Sequence, residues 1–224
     1  VYEGWVFLSA DHVEEPVKIK IRQVVGQSTL KGRIYITPEM PALNERTGVA
    51  KISLYDAENA TLQEDGSFNV PPVYTTESKE YGGEFEIQNI LNKGAYSGGK
   101  YYIVVERDGF LTYNGRKYRP RPTAYSLELG TTSKTYTFDL RLIGGDVNGD
   151  QKVNDTDLNI LIEHYNRYTG QPGTSPEEEA IIKRCDFNQD GVVNALDRGF
   201  LIGNLGSTDE HYPYRSFSPI QPDA

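Results

Sequence analysis

A twelve-residue pattern, D-x-N-x-D-x-x-x-N-x-x-D, occurs twice in the chain, at 146–157 and again 40 residues later at 186–197. Oxygen-bearing side chains stand at positions 1, 3 and 5: Asp146, Asn148 and Asp150 in the first copy, Asp186, Asn188 and Asp190 in the second. In a short loop alternate residues turn to one side, and calcium, a hard cation, takes about six to eight oxygens at about 2.3–2.6 Å. Position 7 supplies a backbone carbonyl, which leaves its identity free, and it is Lys152 in one copy and Val192 in the other. Position 9 acts through water, a role that suits Asn154 and Asn194. Position 12 opens the next helix and returns a bidentate carboxylate, Asp157 or Asp197. The pattern predicts two Ca2+ ions, one per loop. Magnesium fits less well, since it keeps more water and demands a stricter octahedron. A lone D-x-N-x-D is a common turn sequence. Two complete copies, each followed by an amphipathic helix, are specific. One departure stands out: position 6, a sharp turn that favours glycine, is Gly191 in the second loop and Gln151 in the first. The first loop is therefore expected to be strained or weaker.

The loops also mark a change of period. Upstream, residues alternate as in half-buried strands. Val17, Ile19 and Ile21 face one way in "PVKIKIR", Ile34 and Ile36 in "KGRIYIT", and Ala50, Ile52 and Leu54 in "GVAKISLYD", with Lys51, Ser53 and Tyr55 turned outward. Phe85 and Ile87 follow in "GGEFEIQNI", then the β-branched run "KYYIVVERDGFLTY" with a turn at Asp108-Gly109, and Tyr136, Phe138, Leu140 and Leu142 in "KTYTFDLRLI". Roughly seven strands with polar, Gly- and Pro-bearing turns predict an all-β sandwich. Stretches 56–80 and 114–126 read as surface loops. From Gly144-Gly145 onward the period is 3.6. One helix is expected over "DLNILIEHYNRY" with Leu158, Leu161, Ile162, Tyr165 and Tyr168 on its apolar face. A second has Ser175 as N-cap, Pro176 at the first helical position and Glu178 closing a capping box. A third, "ALDRGFLIGNL", carries Leu196, Phe200, Leu201 and Leu205 and ends at Gly206. The remaining "STDEHYPYRSFSPIQPDA" has no period and reads as a tail that stays mobile unless docked.

Charge excludes some functions. The net charge is −9, and residues 146–224 hold 14 acids against 6 bases. No basic patch is present to meet phosphates, so nucleic-acid binding is not expected. No apolar run reaches membrane-spanning length, so no membrane insertion is expected. The single cysteine, Cys185, rules out an internal disulfide and is expected to pack in the core. The chain begins at Val1 and reads as an excised fragment, so the lack of a leader says nothing about secretion.

The unit of one calcium loop plus one following helix, used twice, differs from an ordinary EF-hand. A strand precedes Asp146, and position 12 is aspartate. It resembles the dockerin family over 144–206. That resemblance implies a duplicated F-hand module that folds around two calcium ions and plugs into a cohesin module of a scaffoldin or cell-surface anchoring protein. It further implies a secreted, extracellular setting in the cellulosome, where such complexes degrade plant cell walls. "KGRIYI", "GVAKISLYDA", "GEFEIQNI" and "YYIVVERDGFLT" are similar to carboxypeptidase-regulatory-like, Ig-like β-sandwiches, and their place looks like that of the X-module before some dockerins, particularly in type II pairs. The expected organisation is multi-domain: an unplaced segment 1–28, an X-module-like β-sandwich 29–143, a dockerin 144–206 and a tail 207–224. In dockerins, loop positions 10 and 11 and the outer helix residues face the cohesin. Carried to this chain, that implies Asp155, Thr156, Ile162, Glu163 and Arg167 in the first repeat and Ala195, Leu196, Phe200 and Gly203 in the second.

Other readings are weaker. His12, His164 and His211 form no ligand or triad pattern, and Glu84 and Glu86 read as successive outward strand residues, so catalysis is not expected. His164 reads as a surface or partner-contact residue. "GRKYRPRPTAY", with Tyr118, Arg119, Pro120 and Arg121, suggests a sticky loop. The alternative function is thus a calcium-stabilised carbohydrate-binding or spacer appendage of a secreted plant-cell-wall-degrading enzyme.

Overall fold

The alternating segments of the first two thirds of the chain build two facing sheets, and the loop-helix repeats close over one end of them. The computed structural model describes residues 2–8, 17–23, 26–36, 42–92, 99–114, 126–130, 132–209 and 212, with 2–8, 17–23 and 126 as backbone only. β1 (Tyr2–Leu8) and β2 (Val17–Gln23) pair antiparallel as a two-stranded sheet of their own, from Tyr2 opposite Gln23 to Leu8 opposite Val17. The segment left unplaced by the sequence therefore holds a ladder, and β3 (Gln27–Tyr35) opens just before the β-sandwich was expected to begin.

One sheet is ordered β10 (Ser126–Glu128), β7 (Lys100–Glu106), β4 (Lys51–Asp56), β5 (Tyr74–Glu77), with β9 (Tyr113–Asn114) also paired to β7. In the other, β3 lies between β6 (Glu84–Leu91) and the short parallel pieces β11 (Thr135–Thr137) and β12 (Leu140–Arg141). Leu30, Ile34, Phe85, Ile87, Tyr136, Phe138 and Leu140 of this sheet are buried against Ile52, Leu54, Tyr101, Ile103 and Val105 of the other. Each such side chain contributes about 1.5–3 kcal/mol when fully buried.

Two expectations change here. Ser53 is buried, not outward, and so is Tyr102. Phe68 accounts for Tyr102: it stacks on that ring at 5.7 Å and meets Tyr55 at 4.4 Å on the outer side of the β4–β7 pair. Stretch 56–80 is also not all loop: Tyr74 to Glu77 pair with β4 as its edge strand.

The same apolar cluster runs on through Phe110, Leu111 and Tyr113 into Val147, Val153, Leu161, Ile182, Phe187, Val193 and Leu201 of the repeats. The bridge is a small sheet in which β8 (Gly109–Phe110) pairs with β13 (Gly144–Asp146). Cys185 is buried in this cluster, as expected, and burial pushes its thiol up to about 12.

The helices are shorter than their periodicity suggested. α1 (Asp155–Glu163) and α3 (Ala195–Gly203) both stop before the last apolar residues assigned to them. Each chain then turns away to pair with the opposite loop. Asn166 donates its N–H to the Val193 carbonyl, and Val193 donates to Arg167. Forty residues on, Gly206 donates to Val153 and Val153 to Ser207. Tyr165, Tyr168 and Leu205 are consequently exposed rather than core-facing. α2 (Pro176–Cys185) begins as expected, with Ser175 Oγ accepting the Glu178 N–H at 3.2 Å. The Glu178 carboxylate pairs with the Arg167 guanidinium rather than returning to the cap. Among the described residues no helix is long and apolar enough to cross a membrane.

Candidate calcium loops and docking face

Each loop is built by the same hydrogen bonds. In the first, Asp157 Oδ1 accepts the Val147 and Asn148 amides at 2.9 and 3.1 Å, and its Oδ2 accepts the Asn154 amide at 2.9 Å. In the second, Asp197 Oδ1 and Oδ2 accept the Phe187 and Asn194 amides at 2.8 and 2.9 Å. The position-12 carboxylate thus draws the beginning and end of its loop together. Positions 3 and 5 form successive turns. Asn148 Oδ1 accepts the Asp150 amide and Asp150 Oδ1 accepts the Lys152 amide, with Asn188, Asp190 and Val192 repeating both bonds. Position 9 has a role that the sequence reading missed. Asn154 and Asn194 cap α1 and α3, forming capping boxes with Asp157 and Asp197. Asn-x-x-Asp ahead of a helix is the signal that would have revealed it.

This scaffold concentrates negative charge in a buried place. Asp146, Asp157, Asp186 and Asp197 are all buried. Burial, with Asp157 and Asp150 nearby, pushes the Asp146 carboxyl up to about 6. Burial, with Asp186 nearby, does the same to Asp197. Asp186 is raised for the same reason, next to Asp190. Asp146 Oδ2 accepts the Gln151 amide at 3.0 Å, but its buried Oδ1 has no hydrogen-bond partner. An unpaired buried carboxylate oxygen is costly, and a cation removes that cost. Among the described residues no three acidic, histidine or cysteine side chains converge as a metal cluster, so a cation in either loop would need amide and carbonyl oxygens as well. The loops fit a hard, oxygen-seeking divalent ion.

Gln151 takes φ +65° at position 6 and Gly191 φ +94° at the equivalent place. Gln151 Oε1 accepts the Thr112 amide of the β-module at 2.8 Å. The second loop meets the β-module through cations. Arg46 Nη1 donates to the Gln189 carbonyl, and Arg107 Nη2 donates to the Phe187 carbonyl at 3.2 Å. Burial lowers the Arg107 guanidinium to about 10, so it stays charged at neutral pH, and the Asp186 carboxylate acts in the opposite sense.

Of the residues implied as partner contacts, Asp155, Thr156, Glu163, Ala195 and Gly203 are exposed, as are Ile162 at 52% and Leu196 at 62%. Phe200 is half-buried against the core, and the Arg167 side chain is occupied by Glu178. Ile202, Tyr165, Leu205, Tyr168 and Val192 are exposed apolar residues absent from the expected set. Laying one repeat over the other would have flagged three of them, Ile202 as the match of Ile162, and Tyr165 with Leu205. His164 is half-buried, its Nδ1 2.8 Å from the Ile160 carbonyl, and so belongs to the helix end. Glu84 forms an ion pair with Lys79 at 2.8 Å. His12, His211 and the 115–125 stretch with Tyr118, Arg119, Pro120 and Arg121 lie outside the described residues.

Comparison with known proteins agrees with this geometry. Residues 144–206 match the family model of the dockerin type I domain. No curated protein matches the chain. Two similar solved structures are a C-terminal interface mutant and an N-terminal interface mutant of a type II cohesin–X-dockerin complex from Acetivibrio cellulolyticus. They are 14% and 13% identical, each with a TM-score of 0.50, and each match covers 83% of this chain and 99% of the other. At that identity the likeness is one of fold. The chain therefore carries a dockerin domain at residues 144–206 behind a strand-rich module, in the order of an X-module–dockerin pair.

Proposed function

We propose that the chain is a non-catalytic, calcium-dependent docking module: residues 144–206 bind a cohesin on another protein, and the β-module backs them as a rigid support. The observation that carries this reading is the exposure of large apolar side chains on both loop-helix units, Ile162 on α1 and Leu196 and Ile202 on α3. Several such side chains left in water on the two matching helices favour an interaction surface. Both solved structures named above are cohesin complexes, which supports the same partner class. The natural setting of that pairing is a secreted cellulosome, with the cohesin on a scaffoldin or a cell-surface anchoring protein.

Dockerin domains are calcium binders, and the donor chemistry of this chain suits two ions. Asp146, Asn148, Asp150, the Lys152 carbonyl, Asn154 through water, and Asp157 would hold one. Asp186, Asn188, Asp190, the Val192 carbonyl, Asn194 through water, and Asp197 would hold the other. Calcium here supplies charge neutralisation and a fixed loop shape, so that α1 and α3 are held at the angle the partner reads. The test is capture of the full chain on immobilised type I and type II cohesins, with calcium, with magnesium and with chelator. Calcium-dependent retention by one cohesin class is expected. Retention by neither class, or equal retention in chelator, would sink the reading.

A further inference from the structure

Both candidate calcium loops rest on one run of six residues in the β-module, Arg107 to Thr112. On the first-loop side, Gly109 pairs with Asp146 and Phe110 with Gly144 across β8 and β13. Leu111 donates its amide to Ile143 at 2.9 Å, and Thr112 donates to Gln151 Oε1 at 2.8 Å. On the second-loop side, Arg107 donates to the Phe187 carbonyl at 3.2 Å, and the Phe110 and Phe187 rings meet edge-on at 5.8 Å. Arg107 is itself fixed. Its Nη1 donates to the Thr47 carbonyl at 2.5 Å and its guanidinium lies 4.2 Å from the Phe110 ring centre. Phe110 therefore touches the strand that delivers Asp146 and the arginine that holds Phe187.

Gln151 is the informative residue. A side chain at positive φ is strained by roughly 1 kcal/mol relative to glycine, and the second loop uses glycine at that place. The first loop accepts the strain and gains a hydrogen bond to Thr112. That bond ties the turn of the loop, whose amide also binds the Asp146 carboxylate, to the segment that holds the other loop.

We propose that the Arg107–Thr112 segment positions both loops together, so that calcium binding at either loop raises the affinity of the other. The inference rests on the calcium reading above. Closing the first loop fixes Gln151 and β13. Through Thr112 and Phe110 this holds Arg107 and Phe187 in place, and the second loop then loses less conformational freedom on binding. Gln151 and Arg107 are positioning residues and supply no metal ligand.

The test is calcium titration calorimetry on the full chain. Asp190→Ala isolates the first site and Asp150→Ala the second. The product of the two isolated binding constants, set against the overall constant of the unmodified chain, gives the coupling factor. A factor of about tenfold is expected, within the usual range of coupling between sites. Gln151→Gly should reduce it to about twofold or less, and Gln151→Glu, which keeps an acceptor for the Thr112 amide, should restore it. Arg107→Met should reduce it independently. Because the loops also pair directly with the segments beyond α1 and α3, coupling retained in full by both Gln151→Gly and Arg107→Met would overturn the proposal, as would a factor of one in the unmodified chain. Amide exchange gives a second readout. Calcium added to Asp190→Ala should slow exchange across 187–193, and should not do so once Gln151→Gly is added. Binding without coupling overturns this inference alone, whereas no calcium binding overturns the calcium reading with it.

Discussion

The Tyr212 hydroxyl donates to the Leu111 carbonyl at 2.6 Å and accepts the Ile143 amide at 3.2 Å, so one residue of the C-terminal segment closes the seam between the β-module and the dockerin. Its ring is buried and meets Tyr113 edge-on at 5.5 Å. Tyr212→Phe keeps the ring and leaves the Leu111 carbonyl without this donor and the Ile143 amide without this acceptor. A loss of about 1–3 kcal/mol is expected, read as a lower urea midpoint at unchanged slope. An unchanged midpoint would show that this contact contributes nothing.

Gly109 adopts φ +80°, and a Cβ there would stand 2.4 Å from the Arg184 carbonyl oxygen. Gly109→Ala must therefore adopt a strained conformation and also push β8 away from α2. A destabilisation of at least about 2 kcal/mol is expected, together with weaker calcium binding at the second loop. Thermal melts and calorimetry check the two parts separately.

Calcium removal should destabilise the repeats more than the sandwich. Each loop carries aspartates at positions 1, 5 and 12, and the repeats have few apolar residues to hold them without the metal. Excess chelator should lower the melting temperature and reduce the helical far-UV circular dichroism signal. Spectra that superimpose with and without chelator would refute this.

The metal-free chain should respond to pH in an unusual direction. Asp146 and Asp197 titrate at about 6 when folded, above the ordinary carboxylate value near 4. Their favourable contribution is fully present below about pH 4 and is lost as pH rises through about 6. Chelated protein should therefore be less stable at pH 7 than at pH 5, by an amount on the order of 1–3 kcal/mol. With calcium bound the order should invert, because acid displaces the metal. Urea midpoints at the two pH values, each with and without calcium, check both signs.

Recognition of the cohesin should be dominated by one orientation. Ile162 and Ile202 match across the repeats, but Asp155 and Thr156 stand where the second repeat has Ala195 and Leu196, and Glu163 where it has Gly203. A buried leucine contributes about 1.5–3 kcal/mol, while charges at the edge chiefly steer and discriminate. Leu196→Asp should weaken cohesin binding at least about tenfold, and Thr156→Asp should change it little. If each variant alone binds normally and only the double variant fails, two interchangeable orientations exist.

The sequence by itself determined what depends on short spacing. The twelve-residue repeat placed the loops, the Ser175-Pro176 pair placed the start of α2, and strict alternation placed Ile52, Leu54, Phe138 and Leu140 in the core. These are local rules, fixed by the two-residue period of a strand and the turn geometry of the backbone. What required contacts distant along the chain was settled only in the fold. α1 and α3 end early because Val193 and Val153 claim the backbone that would have continued them. Tyr102 is buried because Phe68 comes back to stack on it, and β11 runs parallel to β3 over a separation that no periodicity reports. Gln151 read as a defect in its loop. Only the approach of Thr112, 39 residues earlier, makes its side chain a joint between modules, because the hydrogen bond that offsets its strain is made outside the motif.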